Sequence, residues 1–398
     1  MEFYKRLTQK PIHLSLSKDR VRNIKRGYPW IFKHYLEELP KAASGTLAVL
    51  KDKDGEILAK GFYDPQSELS FRVLALGKEN INSELLKIRI LDAINLRRDL
   101  FDSLTTGFRL INGEGDLLPG LVCDLYADVA VIQFDGEGPR GFYDADNIGK
   151  FIAEELKLKC VFRKPRYNEN QKGQALFGTM PSEDVLFLEN GLTFSVDIIN
   201  GQKTGFFLDQ RDNRQRIRHL AKDKTVLNLF GYTGGFSIYA IAGNAKSVTT
   251  VDLAKPAIEA AKKNWQLNNN SSDKHDALAV DAFEFLETAK NNKKNWQVVI
   301  VDPPSFARAE SSVEAATSSY HNLITSSILV TAKGGVMAAS SCSSHINPAM
   351  FLELCEKAVS TSRRRAQILG IYGQPEDHPF PMSCQELRYL KFILFKLD

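Results

Sequence analysis

The chain has 398 residues, too many for one ordinary hydrophobic core, so two or three domains are expected. Hydrophobic residues make up 43% and charged residues 25%, and no stretch is apolar over the roughly 18 residues that a membrane span needs. A net charge of +4, from 52 Lys and Arg against 48 Asp and Glu, permits nucleic-acid binding without arguing for it. Five scattered cysteines with no C-x-x-C pair speak against a disulfide framework or a structural zinc site. The first twenty residues lack the apolar core of a signal peptide. The expectation is a cytoplasmic protein with free thiols, no bound metal and no membrane partner.

Residues 1–76 read as short strands. "IHLSL", "TLAVLKD", "EILAKGFYD" and "LSFRVLAL" alternate apolar and polar positions between Gly, Asp and Pro turns, which suggests a small β-barrel or sandwich. Within this stretch, "KDRVRNIKRGYPWIF" (Lys18 to Phe32) mixes Lys18, Arg20, Arg22, Lys25 and Arg26 with Tyr28, Trp30 and Phe32. Cations beside aromatics suit both phosphate contact and base stacking. Further basic runs are "FRKPR", "QRDNRQRIRH" and "SRRRA", each of which also reads as an ordinary solvated face. "NSELLKIRILDAINLRRDLF" has helical spacing, with Ser83 as N-cap and Leu86, Ile90, Ala93 and Leu96 on one face. Residues 77–185 then mix strands with one helix, a central α+β domain, and "LFLENGLTFSVDII" carries the Asn-Gly signal of a tight hairpin.

The pattern changes in residues 186–398. Strands "TVLNLF", "SVTTVDL", "ALAVDA", "QVVIVD" and "GGVMAASS" alternate with helical stretches. That rhythm predicts an α/β domain with a mainly parallel, doubly wound sheet.

Chemistry concentrates at the predicted strand ends. "VLNLFGYTGG" places glycines where a strand passes into a helix, so backbone there can approach a ligand and a helix N-terminus faces it. The spacing is not G-x-G-x-x-G. Asp252 ends the next strand, placed to accept ribose hydroxyls. Asp281 ends the third, within reach of an adenine amino group, and Asp302 ends the fourth. Each acid could cap a helix instead. Three at consecutive strand ends fit S-adenosylmethionine better than NAD, because an NAD enzyme has no need of the Asp-Pro-Pro turn of "DPPSF" (Asp302 to Phe306). Two prolines there fix a rigid, extended turn. Cys342, in "AASSCSSHI", lies just past the strand after Asp302. Carbon 5 of cytosine needs a thiolate on carbon 6 before it can attack a sulfonium methyl group, and Cys342 beside Asp302 meets that need.

The order "GQKTGFFLDQRDNR", "FGYTGGFS", "DPPSF", "SSCSS" and "EDHPFP", together with "NGEGDLLPGLVCDLY" and "RGYPWIF", resembles bacterial 23S ribosomal RNA cytosine-5 methyltransferases with an N-terminal PUA domain. The resemblance spans nearly the whole chain. It implies a PUA-like RNA-binding domain, a central domain and a Rossmann-like class I methyltransferase domain. It implies S-adenosylmethionine held by Lys203, Phe230, Gly231, Thr233, Gly234, Asp252, Asp281 and Asp302, with Cys342 and Asp302 as the catalytic pair. It also implies RNA contact by Pro303, Pro304, Phe306, Arg211 and His378. The partner implied is 23S ribosomal RNA, and a homodimer is left open. Many RNA cytosine-5 methyltransferases carry a second cysteine beside the Asp-Pro-Pro-like motif. Here Ser305 stands there, so the group that takes the carbon-5 proton is unassigned. A related branch with the same "KTGFF" and "DPP" motifs methylates guanine and lacks the "SCS" cysteine. The alternatives are therefore methylation of guanine or an exocyclic amine, or a non-catalytic RNA-binding protein.

Overall fold

The computed structural model describes residues 1–5, 11–17, 20–166, 173–306 and 313–398. The first two residues of the basic-aromatic run, Lys18 and Asp19, lie outside them. The chain forms two compact units. The first holds Met1–Asn190, Val196–Leu208 and Glu376–Leu387, and the second holds Gly191–Ser195, Asp209–Pro375 and Arg388–Asp398. The expected boundaries at 76/77 and 185/186 both fall inside the first unit. That unit also takes the late segment Glu376–Leu387, which the sequence pattern assigned to the C-terminal domain.

In the first unit, five strands between Ile12 and Leu76 form one sheet around Leu14, Ile31, Leu50, Ala59 and Phe71. A short helix, Val21–Lys25, interrupts the expected all-strand pattern and carries part of the basic run. The helix Ser83–Leu100 is capped by Asn82, whose side chain accepts from the Leu85 N–H at 2.8 Å. Ser83, the expected cap, instead accepts from Phe3 N–H and donates to Glu2. The buried stripe is Leu86, Ile90, Ala93 and Arg97, while Leu96 is 40% exposed. Spacing of 4, 3 and 4 keeps one face, and Leu96 falls off it by about one residue's rotation. Arg97 enters the core because Asp116 takes it in a two-point ion pair and the Asp377 carbonyl accepts a third bond. A second five-stranded sheet follows, running from Gly107–Asn112 to Gln174–Gly178. At the predicted tight turn, Asn190 and Gly191 both have left-handed φ, 50° and 78°, as a type I′ turn requires.

The second unit is a seven-stranded sheet. Its strands are β1 (Thr225–Leu229), β2 (Ser247–Asp252), β3 (His275–Ala279), β4 (Trp296–Val301), β5 (Thr331–Ser341), β6 (Ala366–Tyr372) and β7 (Lys391–Leu397). Their order is β3-β2-β1-β4-β5-β7-β6. β1 to β5 are parallel and β7 is antiparallel to both neighbours. The helices are α1 (Arg211–Leu220), α2 (Gly235–Ala242), α3 (Lys255–Leu267), α4 (Ala282–Asn291), α5 (Val313–Leu329) and α6 (Pro348–Thr361). Alternate residues Leu227 and Leu229, Val299 and Val301, Met337 and Ala339, Ile393 and Phe395 bury one sheet face against Tyr320, Leu323, Ile324 and Phe351. The strand order reverses direction between β1 and β4. The C-terminal edge there is where open parallel sheets bind ligands.

Candidate active site

That edge gathers the loop after β1, Asp252 at the end of β2, Asp281 two residues beyond β3, Asp302 just beyond β4 and Cys342 just beyond β5. The loop is conformationally unusual. Phe230, Tyr232 and Gly234 all have positive φ, at 56°, 46° and 81°. Two non-glycine residues so close together in the left-handed region mark a backbone held by its surroundings, a feature concentrated at ligand-binding loops. Three bonds hold it: Gly231 N–H donates to Val251 O, Tyr232 N–H to Asp252 Oδ2, and Asn264 Nδ2 to Thr233 O. Gly231 packs so tightly that a Cβ would come 2.5 Å from the Thr250 methyl.

Beneath the loop runs a polar chain that sequence reasoning missed. Asn228 donates to Ser237, Ser237 pairs with Thr250 at 2.7 Å, and Thr250 meets His275 Nε2 at 2.8 Å. Burial pushes the His275 imidazole down to about 4, so it is neutral at ordinary pH. Its ring stacks on Trp265. The residues are ordinary in sequence, and only the pairing of β1, β2 and β3 joins them.

The three acids differ. Asp252 spends bonds from both oxygens on loop backbone, accepting from Tyr232 N–H and Ala254 N–H, each at 2.9 Å. Each oxygen keeps a second lone pair for a hydroxyl. Asp281 is the N-cap of α4, its Oδ1 accepting from Phe283 N–H and Glu284 N–H. The capping alternative is thus realised there, with Oδ2 outside the cap. Asp302 accepts from Gln210 Nε2 at 2.9 Å, and the same amide reaches Ser340 Oγ at 2.9 Å. Asn213 holds the Gln210 carbonyl at 2.6 Å, which fixes the amide's orientation. Gln210 went unnoticed although it sits inside "LDQRDN". An uncharged amide beside conspicuous arginines gives no signal.

Around Cys342 the side chains interlock. Ser341 Oγ donates to Tyr320 OH, and Tyr320 OH and Ser305 Oγ both lie within 3.0 Å of Ser343 Oγ. Ser305, where other enzymes carry a second cysteine, is therefore part of the clamp on the Cys342 loop. Phe306 packs on the Tyr320 ring at 4.8 Å. Pro303 is buried and Pro304 exposed. Of the five cysteines, all free, only Cys342 is not buried. Burial pushes the Cys355 and Cys384 thiols up to about 12 and raises those of Cys123 and Cys160.

The remaining expected residues fall as follows. Lys203 and His378 belong to the first unit. Lys203 is exposed, with left-handed φ and its ammonium over the Phe207 ring. His378 is 1% exposed beside Asp377, and Arg211 is 3% exposed with Nε on Asp212. Both side chains are buried and bond within the protein. The other basic runs are also largely structural. Lys164 bonds the Gly201 carbonyl, Arg214 is buried, Arg216 lies over Tyr372, and Arg364 bonds the Thr331 carbonyl and Asp398. In contrast Arg22, Lys25 and Arg26 are exposed. Trp30 turns its Nε1–H inward to Glu114, which also takes Arg72 in a buried ion pair.

Among the described residues no cluster of His, Cys, Asp and Glu could hold a metal ion, and no helix is long and apolar enough to cross a membrane. The donor set suits a nucleoside-bearing ligand: a carboxylate with spare lone pairs, a constrained glycine loop and a half-buried Phe230 ring.

A family model for S-adenosylmethionine-dependent methyltransferases matches residues 156–377, and one for PUA-like domains matches residues 14–76. A Ribosomal RNA large subunit methyltransferase of Deinococcus radiodurans is 35% identical, covering 97% of this chain and 98% of its own. A Ribosomal RNA large subunit methyltransferase I of Aliivibrio fischeri is 33% identical over 96% and 98%. A solved structure described as a methyltransferase complexed with SAH superposes with a TM-score of 0.87 at 25% identity, covering 97% of this chain and 100% of that one.

Proposed function

We propose a specific reaction for this chain, which belongs to the S-adenosylmethionine-dependent ribosomal RNA large subunit methyltransferases and carries a PUA-like domain. The reaction is methylation of carbon 5 of one cytosine in 23S ribosomal RNA, through a covalent bond to Cys342. The observation that carries it is the half-buried Cys342, alone among five cysteines in not being buried, just past β5, whose neighbour β4 runs out into Asp302.

When bound, S-adenosylmethionine supplies an electrophilic methyl group. The Phe230–Gly234 loop, Asp252 and Asp281 would hold it, Asp252 through the lone pairs its loop bonds leave spare. The target cytosine leaves its stack to enter the edge of the sheet. Asp302, oriented by Gln210, would donate a proton from its carboxylic acid form to ring nitrogen 3 as negative charge develops there. The Cys342 thiolate would add to carbon 6 and push the electron pair to carbon 5, making that carbon nucleophilic toward the methyl group whose bond to the sulfonium sulfur breaks. Loss of the carbon-5 proton to water would then break the carbon 6–sulfur bond and return the thiolate. Pro304 and Phe306 form the wall along which the base lies, with buried Pro303 fixing the turn behind them. The exposed cations Arg22, Lys25 and Arg26 contact RNA phosphates.

RNA carrying 5-fluorocytosine tests this directly. Fluorine cannot leave as a cation, so the wild-type enzyme is expected to be trapped in a denaturant-resistant adduct at Cys342. Cys342→Ala is expected to form none and to lose at least about 10⁴-fold in methylation rate, with cofactor affinity intact. An adduct mapped to another residue, or robust methylation by Cys342→Ala, overturns the assignment and moves the reading to guanine or an exocyclic amine.

A further inference from the structure

We propose that Lys391 is a positioning residue that keeps Cys342 as a thiolate; the inference rests on the covalent reading above. Lys391 opens β7, whose register sets it directly opposite Ser341 on β5. Its Nζ donates to the Ser343 carbonyl at 2.6 Å and to the Tyr389 carbonyl at 2.8 Å. The ammonium is thus rooted opposite the residue before Cys342 and bonded to the residue after it. The group is 3% exposed, yet among the described residues no carboxylate pairs with it.

A buried ammonium without a counter-ion is costly and is retained only where something offsets it. Burial lowers the Lys391 amine to about 8, and the opposing influence comes from Cys342. Two N–H bonds go to carbonyls whether the group is amine or ammonium. Protonation changes only the third position. The step balances without any other reagent: the Cys342 S–H bond breaks, its proton joins the Nζ lone pair, and an ammonium–thiolate pair results. The same cation favours the thiolate as leaving group when the carbon 6–sulfur bond breaks.

Of the other titratable groups near this loop, His345 is exposed to solvent. Tyr320 on α5 is buried, which raises its phenol and keeps it protonated. Asp302 beyond β4 is held by Gln210. Tyr389 donates to Asp209 at 2.8 Å.

The test is the rate of iodoacetamide alkylation at Cys342 against pH, on the full chain, resolved by peptide mass spectrometry. In Lys391→Met the alkylation midpoint is expected to rise by about one pH unit, with about tenfold slower alkylation at pH 7. The acid limb of the methylation profile is expected to shift with it. Lys391→Arg keeps the charge and is expected to stay near wild type. Lys391→Gln, which still donates to the carbonyls, gives the same answer as Met if the Met variant does not fold. A wild-type midpoint in a folded, neutral variant overturns the proposal. Alkylation needs no methyl transfer, so the result is readable even if Cys342→Ala proves active and the covalent reading fails.

Discussion

The two halves of the sheet edge are built by different means. The donor half, after β1 and β2, is mostly backbone: left-handed residues at Phe230, Tyr232 and Gly234, with Asp252 bonded to main-chain N–H groups. The acceptor half, after β4 and β5, is mostly side chain: Gln210 on Asp302, and Tyr320, Ser305 and Lys391 around the Cys342 loop. A backbone site recognises a constant cofactor and tolerates little change in loop geometry. A side-chain site can hold a reactive group at a chosen protonation state, because each neighbour contributes its own charge and hydrogen bonds.

The comparison predicts separable losses. Asp302→Ala breaks the acceptor half alone. Methylation is expected to fall by about 10² or more, the scale of a lost transition-state contact, while calorimetry finds cofactor affinity within about threefold of wild type. A parallel loss of cofactor affinity would join the two halves into one site. Asp252→Ala breaks the donor half. Losing charge-assisted bonds to the ribose is expected to weaken cofactor binding about ten- to a hundredfold, roughly 1.5–3 kcal/mol. Alkylation of Cys342 in that variant is expected to be unchanged. The smallest effect concerns His275 under the donor loop. Its imidazole is held below the unfolded value of 6.5. The unfolded chain therefore binds the proton first, and stability present above pH 6.5 is lost as pH falls toward 4. Melting temperatures across that window are expected to fall less steeply in His275→Gln than in wild type. Equal slopes would remove His275 from the donor half's support.

How legible each half was follows from the same difference. Glycines, strand-end acids and the Asp-Pro-Pro turn are local signals, so the donor loop, Asp252, Asp302 and the five parallel strands stand in the sequence. The Asn-Gly turn was equally readable. The groups around Asp302 and Cys342 come from the N-cap of α1, from α5 and from β7, over 180 residues of chain from Gln210 to Lys391, and strand register alone brings Lys391 opposite Ser341. Asp281 shows the limit of a strand-end rule, since a strand-end position also begins a helix. Arg97 shows the limit of an apolar-stripe rule. A charged residue held the core position because its partner, Asp116, lay on another element. Arg211 and His378 show that a motif position says nothing of exposure, since both are buried.

The segment Glu376–Leu387 belongs to the first unit although the second unit's chain lies on both sides of it. Arg97 and Arg109 donate to Asp377, and Asn112 to the Pro379 carbonyl, so early residues bind very late ones. As the polypeptide leaves the ribosome, the first unit lacks these partners until residues 376–387 have been made. The second unit likewise waits for β7. Neither can reach its final form by folding in the order of synthesis, and no single cut in the gene yields two complete pieces. Each unit closes on contacts between residues far apart in the chain, and such wide sequence separation slows the step that completes it.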